Sequence, residues 1–301
     1  MKLRSIELSL PDPVDATRFM VDIWGLVAAD EREGTIYLRG SGSSPYLVSF
    51  TAGEEFARST TFTCSADELA GLTARVAAAG WPARKVISAD PGEGHGIEVE
   101  LPEGTILRFL TGTSEVTPIE GYAKATRRVM PVGLTHVVFN ADDAEAMGHA
   151  VESVLGFAVS DRTKGMVFVR CNTKHHSTAF ARAGFSSLNH IAFEMDDLDA
   201  VMRGIGWMRD NGFTPAWGPG RHGPGANVYA YYIAPFGPVI EYSTAVETVA
   251  EDHVAGEPDE WTWPEHRIDQ WGVSDKDFAG LRIAEERFRF RRDWEPQPIA
   301  N

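Results

Sequence analysis

Leu188-Asn-His-Ile-Ala-Phe-Glu194 is a short, largely apolar stretch with one histidine inside it. Its length and its Ile and Phe content suit a strand. Asp196 and Asp197 follow as helix caps, a helix is expected over 200–211, and Gly212 closes it. Two further strands, Val228–Ile233 and Pro238–Ser243, are joined by the turn Ala234-Pro-Phe-Gly237. Leu134-Thr-His-Val-Val-Phe139 opens the same order of signals one unit earlier. Asn140, Asp142 and Asp143 cap a helix over 144–155, Gly156 ends it, and strands over 165–171 and 177–180 follow.

The first half repeats this twice. Leu3–Ser9 precedes a helix over 14–24 that stops at Gly25. Thr60–Cys64, Asp67-Glu68, a helix over 69–79 and Gly80 lead to a closing strand over 105–110. Four such units imply an α+β fold of two domains, each an open cup of sheet with helices outside. The expected parts are an N-terminal domain over 1–124, a C-terminal domain over 133–247, and an extension over 248–301. Tyr122 to Pro131 reads as the connector. The extension holds an amphipathic helix, expected over 276–290, that should pack across the domains or the cup mouth. Its Arg287, Arg289, Arg291 and Arg292 read as a solvated or salt-bridged face.

Composition narrows the function. The 301 residues are 43% hydrophobic and 24% charged, enough for a sizeable core. The formal charge of −15 would repel a phosphate backbone, so nucleic acid is not an expected partner. Two cysteines, Cys64 and Cys171, lack the spacing of a structural zinc site or a disulfide framework. Residues 1–10 read as a strand and not as a signal peptide, and no apolar run would span a bilayer. A cytoplasmic, non-membrane protein is the expectation.

His136 and His190 occupy corresponding places in two apolar strands, and Glu241 interrupts Pro238-Val-Ile240 on a strand expected to be buried. A carboxylate buried without a partner costs several kcal/mol or more. A metal ion would compensate it, and so would an ion pair with Arg or Lys. Registering the repeats places Ser5 near His136, Thr61 at His190 and Arg108 at Glu241, so only the second half carries two histidines and a carboxylate. That set is the facial triad of non-haem iron sites.

Further motifs surround it. Gly220-Arg-His222, Tyr231-Tyr-Ile-Ala-Pro235-Phe-Gly237 and Glu241-Tyr242, with Gly133-Leu-Thr-His136 and Asn189-His190, resemble the signature of type I extradiol ring-cleaving dioxygenases. These belong to the vicinal-oxygen-chelate (glyoxalase) superfamily of paired βαβββ modules. The resemblance implies that His136, His190 and Glu241 bind Fe(II), with Mn(II) as the alternative ion. It implies a second-sphere acid–base role for His176 in Asn172-Thr-Lys-His-His176, with His176 facing in and His175 out. It implies that His222 and Tyr231 hydrogen-bond the substrate, although His222 in the Gly- and Pro-rich stretch 218–225 also reads as an ordinary loop residue. The implied partners are an aromatic diol and O2, in the catabolism of aromatic compounds, and a homo-oligomer is expected. Gly223-Pro224-Gly225 departs from the polar pair many members carry after the residue matching His222. Two rival readings are a glyoxalase-like isomerase or epimerase and a non-enzymatic protein that binds aromatic ligands. The segment Asn172–Ser186 has no Asp or Glu to serve as the extra carboxylate an isomerase would use.

Overall fold

The computed structural model describes residues 1–250, 252–262, 268–291 and 293–299. In the first half, β1 (Lys2–Leu10), α1 (Pro13–Phe19), β2 (Val27–Arg32), β3 (Thr35–Arg39) and β4 (Val48–Ala52) form one βαβββ module. β5 (Phe56–Thr63), α2 (Ala66–Ala79), β6 (Ala83–Ile87), β7 (His95–Glu100) and β8 (Ile106–Thr111) form the next. The second half repeats the order with β9 (Gly133–Ala141), α3 (Ala144–Ala150), β10 (Ala158–Arg162), β11 (Met166–Arg170) and β12 (Thr178–Arg182). Then come β13 (Ser187–Glu194), α4 (Leu198–Asp210), β14 (Trp217–Arg221), β15 (Val228–Ile233) and β16 (Val239–Thr244). α5 (Phe278–Arg287) lies in the extension.

Each half makes one eight-stranded sheet. The orders β2-β3-β4-β1-β5-β8-β7-β6 and β10-β11-β12-β9-β13-β16-β15-β14 are the same topology twice. The opening strands of the two modules run antiparallel at the centre, and each pairs in parallel with the closing strand of its own module. Helices pack on one face through a shared apolar core. The other face of the second sheet stays open and is capped by α5, whose Leu281 and Ala284 pack on Trp217, Tyr229 and Tyr231. No described helix is long and apolar enough to cross a membrane.

Local chemistry explains the element ends. Asp143 and Asp197 accept from the backbone N–H groups of Ala146 and Ala200 and start α3 and α4. The helix expected over 14–24 is α only to Phe19 and widens into a π-turn over Met20–Trp24. There the N–H groups of both Gly25 and Leu26 donate to the Met20 carbonyl. Gly25 has φ of 107°, and a Cβ on it would stand 2.0 Å from the Val129 carbonyl oxygen. α3 widens in the same way over Val151–Leu155. The Gly- and Pro-rich segment around 218 is not wholly loop: Trp217–Arg221 is β14, an edge strand, where proline's missing donor is tolerated.

The halves interlock through Trp24, whose ring stacks on Tyr242 at 3.8 Å while its carbonyl accepts from the Tyr242 hydroxyl at 2.9 Å. The tail adds a second seam. Leu188 N–H donates to the Phe288 carbonyl and Ala57 N–H to the Arg289 carbonyl. Within the basic cluster, Arg287 pairs with Glu55 and Arg291 with Asp293, and Arg289 lies over Phe185. Arg292 lies outside the described residues.

Candidate metal centre

His136 on β9, Glu241 on β16 and His190 on β13, the strand between them, project onto the open face of the second sheet. Ala192 is in register with both His136 and Glu241. Its methyl group leaves room for those two longer side chains to meet above it. A register shift between Leu188 and His190 marks a bulge at Asn189. The bulge turns both Asn189 and His190 toward the cavity.

The three ligand atoms form a nearly equilateral triangle. His136 Nε2 and His190 Nε2 each stand 3.2 Å from Glu241 Oε2, and 3.3 Å from each other. Three ligands at right angles around a divalent ion, with bonds of about 2.1 Å, stand about 3.0 Å apart. Glu241 is 0% exposed, and among the described residues no lysine or arginine pairs with it. Burial pushes its carboxyl up, but the two histidines outweigh that and hold it well below the usual carboxylate range. Burial lowers His190.

Hydrogen-bond direction fixes which His190 nitrogen is available. The Glu285 carbonyl can only accept, so the Ser187 hydroxyl donates to it at 2.7 Å. Ser187 Oγ then accepts from Asn140 Nδ2, and Asn140 Oδ1 accepts from Asn189 Nδ2. Asn189 Oδ1 is left as the acceptor for His190 Nδ1–H at 2.6 Å. Neutral His190 therefore points its Nε2 lone pair at the triangle, as a metal ligand must. Asn227, 0% exposed, donates to Glu241 Oε1 at 3.3 Å and steadies the carboxylate. The donor set thus fits a divalent cation with open positions. Ala192 and Asn227 carried no signal in sequence, because their roles exist only across strands, and Asn140, expected as a helix cap, lies within β9 while Asp143 caps the helix.

His176 is brought to this centre, its ring 4.3 Å from that of His136. Burial pushes it well below the usual histidine value, and the neighbouring His136 lowers it further. His175 does not face out: it is 0% exposed. The alternation rule fails because the pair lies before β12 and not on it. His175 Nε2–H donates to Asp161 Oδ2 at 2.7 Å, and His175 Nδ1 stands 3.0 Å from His176 Nδ1. With His175 neutral, its Nδ1 lone pair accepts the His176 Nδ1–H. His176 Nε2 is then the basic nitrogen. Gly225, at φ of 71°, backs this pair, and a Cβ there would stand 2.8 Å from His175 Nδ1.

His222 follows β14, stacks on Tyr229 and meets the Tyr231 hydroxyl through Nε2 at 2.9 Å. Burial pushes His222 down to about 3 and raises the Tyr231 hydroxyl well above its usual value. Both line a cavity of about 320 Å³ that also contains His136, His176 and His190. Its apolar wall includes Val138, Met166 and Phe168, and the extension closes one side with Lys276, Leu281 and Glu285.

The first half holds no such centre among its described residues. Register shows that Thr61 corresponds to Ala192, not to His190: Ser5 pairs with Thr61 as His136 pairs with Ala192, and Thr61 with Arg108 as Ala192 with Glu241. Ser59 is the counterpart of His190, since it pairs with Glu7 as His190 pairs with Val138. A slip of two residues leaves the same side chains facing in, so strand alternation could not separate Ser59 from Thr61. Arg108 lies where Glu241 does and pairs with Glu7 at 2.9 Å and Asp90 at 2.8 Å. Glu7 also accepts from Ser5, Ser59, Thr61 and the Tyr46 hydroxyl.

Comparison with known proteins agrees with this geometry. Residues 133–242 match the family model of the glyoxalase/bleomycin resistance protein/dioxygenase superfamily. The sequence is 26% identical to metapyrocatechase 2 of Cupriavidus necator, over 88% of this chain and 87% of that protein. The fold matches the Mn(II)-bound glyoxalase from Novosphingobium aromaticivorans with a TM-score of 0.83 and 27% identity, covering 100% of this chain and 95% of that one. It matches homoprotocatechuate 2,3-dioxygenase from Arthrobacter globiformis with a TM-score of 0.82 and 23% identity, covering 99% and 95%. Residues 133–242 are therefore similar to the glyoxalase/bleomycin resistance protein/dioxygenase superfamily, and the whole chain shares the paired-module fold of homoprotocatechuate 2,3-dioxygenase.

Proposed function

We propose that this protein is an extradiol dioxygenase that cleaves a catechol-type ring next to the diol, placing both atoms of O2 in a ring-opened semialdehyde acid. The observation that carries the reading is the converging His136–His190–Glu241 triangle, whose carboxylate has no lysine or arginine partner among the described residues and whose His190 lone pair is fixed by hydrogen bonds. His136, His190 and Glu241 hold iron(II) in this reading, with manganese(II) as the alternative. When bound, the ion supplies a Lewis acid that lowers the diol's pKa and a template that brings diol and O2 together. His176 takes a diol proton at Nε2 and returns it to the ring-opening product. His222 and Tyr231, joined at 2.9 Å, hydrogen-bond the substrate oxygens. Val138, Met166 and Phe168 pack on the ring and keep water out. The first half, over 1–124, serves as scaffold and as a surface for homo-oligomer contacts, and the enzyme works in the cytoplasm on aromatic-compound breakdown.

The Mn(II)-bound glyoxalase match favours one second reading, a metal-dependent isomerase of the same fold. Glu285 is the one carboxylate among the described residues lining the cavity, and the segment Asn172–Ser186 supplies none. The test is metal analysis of anaerobically purified protein together with oxygen uptake on a catechol panel. About one iron or manganese per chain, with uptake and a yellow product, supports the dioxygenase. Metal without uptake on any diol turns the reading to the isomerase. Absence of metal after anaerobic Fe(II) reconstitution leaves a binding protein on this fold.

A further inference from the structure

Lys276 stands just before α5, and its side chain lines the cavity. Its Nζ lies 4.3 Å over the Trp217 ring and 5.3 Å over Phe278. Among the described residues no carboxylate comes within ion-pair distance of it, whereas Arg282, on the same wall, is already paired with Glu286. Burial lowers the Lys276 ammonium from its usual value, and the charge of Glu285, which lies beyond ion-pair distance, offsets only part of that. An aromatic face offsets part of that cost but gives no hydrogen-bond acceptor.

The position matters as much as the charge. Trp217 stacks on Tyr231 at 5.2 Å, and the Tyr231 hydroxyl meets His222. Lys276 is thus one aromatic ring beyond the groups that would hold the diol. The surroundings also favour an anion. The chain carries −15 overall, yet the cavity lining holds Arg182, Lys276 and Arg282 against Glu285 alone. Glu285 opposes an anion less than an exposed carboxylate would, because burial raises its pKa toward the neutral form.

We propose that the substrate is an aromatic diol bearing a carboxylate, and that Lys276 binds this carboxylate across the Trp217 ring. This rests on the dioxygenase reading and names its substrate class. Lys276 in this role selects substrate and takes no part in ring opening.

The test uses the metal-loaded full chain and pairs each acid with its neutral, isosteric primary amide. The probes are 3,4-dihydroxybenzoate, 3,4-dihydroxyphenylacetate and their 2,3-dihydroxy isomers. At least one acid should exceed its amide by about tenfold or more in kcat/KM, mainly through KM. In Lys276→Met that ratio should fall to within about twofold of one, and Lys276→Arg should restore most of it. No acid preferred over its amide, or a preference that survives in Lys276→Met, overturns the proposal while leaving the dioxygenase reading intact. Cleavage of neither acid nor amide while a neutral catechol is cleaved also overturns the proposal, and no cleavage of any diol sinks the dioxygenase reading instead. Calorimetric titration with the same acids and amides then decides the subsite: acid binding lost in Lys276→Met supports it, and absence of acid binding overturns it.

Discussion

Asp161→Asn is the most informative single change, because it keeps shape and removes one acceptor. Asp161 is 5% exposed and serves two donors, His175 Nε2–H at 2.7 Å and Gly256 N–H at 2.8 Å. An amide has one acceptor oxygen, so one donor must lose its partner. If the oxygen stays with Gly256, the amide nitrogen faces His175 and requires a lone pair at Nε2. The His175 proton then sits on Nδ1 and donates to His176 Nδ1. Neutral His176 now carries its proton on Nε2 and has no base to offer the cavity. If the oxygen turns to His175 instead, an amide N–H opposes the Gly256 N–H. Either arrangement forfeits a charge-assisted hydrogen bond in a buried place, about 2 kcal/mol. For a chain of this size that lowers Tm by about 3 °C. Loss of the base should cut kcat by about a hundredfold or more. The assay is oxygen uptake on iron-loaded protein with metal counted in the same sample. A kcat within about threefold of wild type, at unchanged metal content and unchanged Tm, would refute the reasoning, whereas an unchanged kcat with the lowered Tm would mean that the amide oxygen turns to His175 and leaves the tautomers as they are.

Three other outcomes are expected. Glu241→Ala should leave a folded protein by circular dichroism with almost no bound metal, and wild-type metal stoichiometry would remove Glu241 from the centre. Arg108→Met strands Glu7 and Asp90 without their shared cation, so urea denaturation should show a loss of about 3–5 kcal/mol, and a loss under about 1 kcal/mol would mean the network is not sustained by that charge. His222 has its pKa pushed down to about 3 by burial, so the folded state binds fewer protons than the unfolded chain below pH about 6.5. Its contribution is present above pH about 6.5 and is lost as pH falls toward 3, at about 1.4 kcal/mol per pH unit. His222→Gln in metal-free protein should flatten the fall in urea-derived stability between pH 6 and 4 by that slope, and parallel curves would contradict a buried neutral His222.

The repeat was readable because each unit is punctuated. Asp143 and Asp197 cap where the sequence places caps, and Gly25, Gly80 and Gly156 all take positive φ at helix ends. Strands carrying turn-like residues were not readable. Trp217-Gly-Pro-Gly-Arg221 pairs only because it lies at an edge. The histidines and Glu241 stood out as polar residues in apolar strands, and the structure brings them together on neighbouring strands. Their surroundings did not stand out, since Ala192 is silent until it is known to lie between His136 and Glu241. The slip between Thr61 and Ser59 and the burial of His175 share a cause. Alternation gives facing, not register, and it applies only where the backbone is extended.

Arg108 and Glu241 occupy one address in two copies of the same sheet. One copy carries its positive charge on a tether, built in with the polypeptide. The other leaves that charge to a diffusible ion. A cell short of that ion would therefore accumulate a protein whose first half is complete and whose second half is a folded but unfinished receptacle. Supply of the ion, not synthesis of the chain, would then set how much working enzyme exists.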